Sequence, residues 1–403
     1  MGKKDNELSE GLRLFVHSWD IFDEGASRIV DFANRSYINF LNVAVSYHAG
    51  RFMLPHNPTK RVYTAEEGAV YFEPHPEEYS SSKIKPNRSE IYSERDVLKI
   101  LMGVIDGTGI GINAWIVCFH NAVFASRYPE LAIVDPYDST DHNYICPSRA
   151  ENFNYVANLI LDIAKNYDIS TVQLESFSFP NDVKHGYHHE NFLVPVNYVT
   201  SSLFSSCYCS SCQNAASNMG INLSEIKEKA RRFIDKCLNF GEDDHEIYQT
   251  MEYKELEPYL KELSQLKEKI ITDLYKKLRD IVHRKFPKLK ISVISNPDSN
   301  KNQGINLSAL AYHVDAVDYL VYYREVKDIH DSVVNVKADL GKNAKLVPAL
   351  KLGYPFAYRE SIIQRNIQAV LDCGVDGIDF YNYGWVTAEV LESLGNAIRK
   401  TLF

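Results

Sequence analysis

The chain lacks any apolar run long enough to span a bilayer as a helix. Its first ten residues, Met1–Glu10, are polar and charged and hold no apolar signal-peptide core. The first absence excludes a helical membrane protein; the second leads us to expect a cytoplasmic location. Cysteine is scarce and odd in number, seven in 403 residues, which excludes the disulfide framework of a small secreted domain. Basic excess is missing too: 44 Lys and Arg face 53 Asp and Glu, a net charge of -9, whereas a nucleic-acid binder presents a basic face. Neither a nucleic acid nor a membrane is therefore expected as a partner. No glycine-rich phosphate loop stands between a strand and a helix, so no nucleotide or other organic cofactor is expected.

What the chain has in quantity is tyrosine, 26 residues. Tyrosine joins a flat apolar face to a hydroxyl, which suits a carbohydrate, with its C–H faces and hydroxyl edges. The chain also repeats a short apolar strand followed by a helix. Strands are expected at Leu12–Ser18, Ile38–Ser46, Asn113–Phe119, Thr171–Glu175, Lys290–Ser295, Ala316–Tyr323, Lys345–Leu350 and Gly377–Tyr381. Helices are expected between them, among them 23–34, 152–167 and 388–402. Eight such units predict an α/β fold, the closed parallel (β/α)8 TIM barrel. The whole of 1–403 is read as one catalytic domain, with insertions at 50–94 after strand two and 176–289 after strand four. Both insertions follow C-terminal strand ends, the face on which such barrels carry active sites.

Residues along a barrel strand alternate between helix side and lumen, so Gln173 and Glu175, and Asp379 and Tyr381, are expected to point inward. Glu175 ends an apolar strand and precedes Ser176-Phe177-Ser178-Phe179. A carboxyl against aromatic walls loses solvation and its pKa rises, which is what a general acid near neutral pH requires. Cleaving a glycosidic bond needs a second carboxyl, and the candidates are Glu325, Asp379 and Asp298. Tyr47, His48, His120, Tyr323, Lys351, Tyr381 and Asn382 are expected to line a sugar site, with His17 beside them. Lys184 and His188 of the stretch Lys184–Glu190 are further candidates for contacting substrate hydroxyls or a carboxylate.

Three cysteines crowd into Cys207-Tyr208-Cys209-Ser210-Ser211-Cys212, and Cys146 is the best candidate for a fourth ligand. Four thiolates suit tetrahedral zinc in a closed structural site. The segment from Tyr128 to Cys212 resembles the zinc-containing β-galactosidases of glycoside hydrolase family forty-two. The resemblance runs through Tyr128-Pro129-Glu130, Tyr144-Ile145-Cys146, Glu175 at the end of strand four and the Cys-Tyr-Cys-x-x-Cys cluster. It implies a barrel glycosidase with Glu175 as acid/base and zinc on Cys146, Cys207, Cys209 and Cys212. The chain departs from that family in Leu174, where the family has Asn, and in strand seven, which ends in Lys351 with no carboxyl to serve as nucleophile. Such relatives often assemble, so a homo-oligomer is an open expectation.

Two other readings fit the same residues. One is a carbohydrate-binding barrel without catalysis, favoured by the missing strand-seven carboxyl. The other is a metal-dependent hydrolase or lyase using His17, His48 or His120.

Overall fold

The computed structural model describes residues 8–182, 196–240, 251–296 and 300–403. Eight parallel strands close into a barrel: β1 Gly11–His17, β2 Phe40–Tyr47, β3 Gly111–Val117, β4 Thr171–Glu175, β5 Lys290–Ser295, β6 Ala316–Val321, β7 Lys345–Lys351 and β8 Gly377–Tyr381. Each strand pairs with its sequence neighbours, and β1 pairs with both β2 and β8, which leaves no open edge in the barrel. The expected TIM barrel is therefore what forms. β4, β5 and β8 have the bounds expected from the sequence, and the other five shift by no more than two residues at either end.

Outward side chains such as Leu12, Leu14, Val172, Leu174, Ile378 and Phe380 are buried under the helices. The inward positions are largely polar. The guanidinium of Arg13 on β1 donates to Asp318 Oδ1 at 3.1 Å and to Glu10 Oε2 at 2.5 Å. Asp318 also accepts from Gln173 on β4 at 2.8 Å and from Ser292 on β5 at 2.6 Å. On the other side, Asn113 of β3 donates to Asn42 of β2, which donates to Asp379 of β8, both at 2.8 Å. Seven strands thus contribute to one polar layer across the lumen. Buried polar groups are costly unless paired, and here the pairs run from strand to strand.

The single helix expected at 23–34 is two helices, Ser18–Glu24 and Ala26–Arg35. Gly25 separates them with φ +92°, a conformation closed to most L residues. The segment after β2 forms an antiparallel hairpin, Gly50–Met53 with Val62–Ala65, and a short strand, Ala69–Val70, that runs antiparallel to the end of β2. After β3 comes a second hairpin, Ala132–Val134 with Thr140–Ile145. After β4, helices Tyr198–Phe204, Ser210–Asn218 and Leu223–Phe240 precede the long helix Met251–Lys285. That last helix packs on Ala150–Asn166, so it is the crossover that returns the chain to β5. Among the described residues no helix is long and apolar enough to cross a membrane.

Candidate active site and metal centre

Two residues above the polar layer, the strands end in aromatics. Glu175 stands at the C-terminal end of β4, and its carboxylate accepts the Trp115 indole N–H at 2.6 Å. Trp115 is inward on β3 and almost wholly buried. Phe15, Tyr47, Tyr381 and His17 pack around it at centroid distances of 5.0, 5.0, 6.0 and 5.2 Å. Tyr322, just past β6, meets Tyr381 at 5.7 Å. Burial pushes the Glu175 carboxyl up, against the opposing charge of His48 and the Trp115 hydrogen bond. Its charge in turn helps push up the phenols of Tyr47, Tyr322 and Tyr381, after burial. A carboxyl of raised pKa inside an aromatic ring of residues holds its proton to higher pH than a free glutamate and can give it to an oxygen beside it.

The histidines frame one wall. His48 stacks on Tyr47 at 4.4 Å and on His120 at 4.5 Å, and His120 stacks on Tyr144 at 5.7 Å. Glu67, which sequence reasoning missed, pins both loops by accepting from the Ala49 and Ala122 backbone N–H groups at 2.8 and 3.0 Å. His17 is wholly buried between Trp19 at 4.2 Å and Trp385 at 5.2 Å, and the Asn382 amide donates to its Nδ1 at 3.1 Å. Burial and the His48 charge hold His17 well below its ordinary pKa, so it is a neutral ring. Beneath it Asp20, which accepts the His17 backbone N–H at 3.0 Å, is pushed up to about 8 by burial.

On the opposite wall Lys351 ends β7 with its ammonium over the rings of Tyr322, at 4.7 Å, and Phe356, at 5.1 Å. Burial lowers its pKa. Tyr323 is half-buried beside Tyr322. The structure thus gathers Glu175, Tyr47, His48, Tyr381 and Lys351 around Trp115 and Tyr322, with His120, His17 and Asn382 packed directly behind them. The two described candidates for a second carboxyl lie elsewhere. Glu325 is exposed at the N-cap of helix Val326–Leu340. Asp379 is in the polar layer, where burial and the Asp318 charge push its carboxyl well above the usual range. Asp298, Lys184 and His188 lie outside the described residues. Trp115, Trp19, Phe52 and Trp385 were also missed from sequence. Trp115 was within reach, since it shares inward parity with Asn113.

The four cysteines converge. All are buried and free of disulfides, and their sulfurs lie within 4.8 Å of one another. Cys146 Sγ is 3.8 Å from Cys209 Sγ and 3.6 Å from Cys212 Sγ. A tetrahedron with metal–sulfur bonds of about 2.3 Å spaces its sulfurs about 3.8 Å apart, so this donor set fits a metal ion. The Val134 backbone N–H points at Cys207 Sγ at 3.4 Å. Cys146 follows the Thr140–Ile145 strand, and Cys209 caps helix Ser210–Asn218. Among the described residues this is the one group of three or more metal-ligating side chains; His17, His48 and His120 do not form another.

No protein-family model and no curated protein sequence matches the chain. Solved structures do. The glycoside hydrolase domain of PgaB from Bordetella bronchiseptica aligns with a TM-score of 0.61 at 11% identity, over 96% of this chain and 98% of that one. The catalytic domain of β-amylase from Paenibacillus polymyxa aligns with 0.59 at 10% identity, over 97% and 98%. A β-galactosidase from Bacillus circulans aligns with 0.56 at 11% identity over 97% of this chain but only 55% of its own. The chain spans about half the length of that enzyme. At these identities the likeness is one of fold, the barrel shared by glycoside hydrolases.

Proposed function

We propose that the protein hydrolyses a glycosidic bond in a carbohydrate substrate, with Glu175 as the proton donor to the leaving oxygen. The single observation that carries this reading is the Glu175 carboxyl, raised in pKa at the end of β4 and set among Trp115, Tyr47, Tyr322 and Tyr381. The aromatic faces suit sugar C–H surfaces, and the pKa suits a general acid. The solved neighbours, carbohydrate-cleaving enzymes by name, are consistent with it. In this reading Tyr47, His48, His120, Tyr323, Lys351, Tyr381, Asn382 and His17 shape the sugar site, and Lys184 and His188 extend it. The second carboxyl is sought in Glu325 and Asp379.

The test is Glu175→Gln against a panel of aryl glycosides. General-acid catalysis contributes about 100- to 10,000-fold, so a loss of that order is expected. Turnover at the wild-type rate would remove Glu175 from the chemistry. Glu325→Gln and Asp379→Asn, assayed side by side, identify the partner as the one whose loss matches that of Glu175→Gln.

A second reading, a carbohydrate-binding barrel without turnover, is favoured by where those two carboxyls sit: one exposed on a helix cap, the other engaged by Asn42 and Asp318. Sugar binding with no hydrolysis of any glycoside in the panel would select it. We also propose that the four cysteines hold one structural zinc ion, which would clamp the segment after β4 to the one after β3. Metal analysis of purified protein is expected to find one equivalent. Protein free of metal, with all four thiols open to titration, would exclude the ion.

A further inference from the structure

A cleft of about 360 Å³, sharing none of its lining residues with the Glu175 site, lies between helix Tyr198–Phe204, helix Met251–Lys285 and Asn302. Ser202, Ser264, Asn302 and Lys267 are among the residues that line it. Lys267 is 3% exposed, rare for a lysine without an ionic partner. Among the described residues its ammonium has one hydrogen-bond partner, the Ser206 hydroxyl at 3.2 Å, and no carboxylate within ion-pair distance. That hydroxyl is itself committed as a donor, to the Ser202 carbonyl at 2.7 Å. An ammonium has three donors, so two are left over. The Lys267 backbone packs so closely on Gly304, whose φ is +74°, that a Cβ there would meet the Lys267 carbonyl at 2.7 Å.

A buried cation without a counter-charge is unfavourable, by several kcal/mol. It can lose its proton or gain an anion. A cleft at the low end of the size range for small-ligand sites, with Ser202, Ser264 and Asn302 set among apolar side chains such as Val199, Leu260 and Leu263, supplies room for the anion. We propose that this cleft binds a small molecule bearing a carboxylate, with the Lys267 ammonium as its counter-charge and the spare N–H groups as donors to its oxygens. No covalent bond forms; the amine takes up a proton as the anion enters.

The charged and titratable groups around Lys267 are few. Glu268, its neighbour in sequence, favours the ammonium; Glu257 and Lys261 of the same helix line the cleft, as do the phenols of Tyr198 and Tyr253. Burial nonetheless brings the amine down to about 7. Anion binding above neutrality must therefore be coupled to proton uptake, and affinity should fall about tenfold for each pH unit above 7.

The experiment is calorimetric titration of the whole protein with acetate, succinate and glucuronate, with phosphate and glucose as comparisons. It is run at pH 6, 7 and 8 in two buffers of different ionisation heat. Saturable binding of at least one carboxylate is expected, with uptake of close to one proton at pH 8 and at least a tenfold loss of affinity in Lys267→Met. That substitution replaces a buried lysine by an apolar side chain of similar length, so the protein is expected to fold, and its far-ultraviolet spectrum and melting curve check this. Absence of carboxylate binding at every pH, or binding that Lys267→Met leaves unchanged, overturns the proposal. So does binding of phosphate alone or of glucose equally well. Because the readout is binding, compared between the wild type and Lys267→Met, it stands or falls independently of Glu175.

Discussion

Two layers of the same lumen, one turn of pleat apart, treat their acids in opposite ways. In the lower layer Asp318 is met by Arg13, Gln173 and Ser292, and Asp379 by Asn42. In the upper layer Glu175 has, among the described residues, Trp115 as its one hydrogen-bonded side chain, and Tyr47, Tyr322 and Tyr381 stand around it. The lower-layer acids are fully buried, whereas Glu175 is half-buried at its strand end. Asp318 differs from Glu175 also in the number of donors that converge on it, and Asp379, with Asn42 as its donor, differs in its depth and in the Asp318 charge beside it. A carboxylate surrounded by donors is fixed in place. One with a single donor against apolar walls keeps a proton within reach and has lone pairs left for a substrate.

The comparison breaks if the two layers respond alike to substitution. The largest contrast is expected between Glu175→Gln and Arg13→Met. The first should cost about 100-fold or more in hydrolysis while melting at or above the wild-type temperature, since it replaces an acid whose ionisation the fold disfavours. The second leaves the buried Asp318 without its cation, while Glu10 keeps Lys290, and should cost about 3–5 kcal/mol of unfolding free energy, read by chemical denaturation. Loss of stability in the first, or none in the second, would erase the distinction.

A smaller effect concerns pH. The raised pKa of Asp20, about 8 against an ordinary 3.8, means that the folded state holds this proton more tightly than the unfolded one. Its contribution is therefore most favourable below about pH 4 and is lost as pH rises toward 8, by at most about 1.4 kcal/mol per unit. His17, with a lowered pKa, acts in the opposite direction near its ordinary value. Asp20→Asn should flatten the decline in melting temperature over this window; an unchanged slope would show that Asp20 ionises normally. The smallest effect sharpens the upper layer itself. Trp115→Phe removes the donor that favours the Glu175 carboxylate, so the carboxyl should hold its proton to higher pH. The alkaline limb of the activity profile should move up by about one unit. A downward move would contradict the assigned hydrogen bond.

Much of the fold was legible because strand periodicity and strand burial are the same fact. Thr171–Glu175 and Gly377–Tyr381 alternate apolar and polar residues, and the barrel puts each set on the side expected. The split at Gly25 was not legible, because a glycine within an amphipathic run is ambiguous until its φ is known. The convergence of Cys146 with Cys207, Cys209 and Cys212 was readable from spacing and composition. The polar layer was not. Arg13 sits between two leucines in an apolar strand, and only closure of the barrel brings Asp318, 305 positions later, to its guanidinium. Asp379 and Glu175 looked alike in sequence for the same reason: parity tells which way a side chain points, but not how deep it lies or which charges stand beside it.

The cysteine cluster has one more consequence. Its sulfurs come from Cys146 on one side and Cys207–Cys212 on the other, and the chain between them contains the whole of β4 with Glu175 at its end. The acid therefore rides on a tethered loop whose two feet are knotted together just outside the barrel. Under the proposed zinc site, opening that knot would leave the staves standing yet free the strap that steadies one of them, so metal content and the position of Glu175 would be linked through the connectivity of the chain.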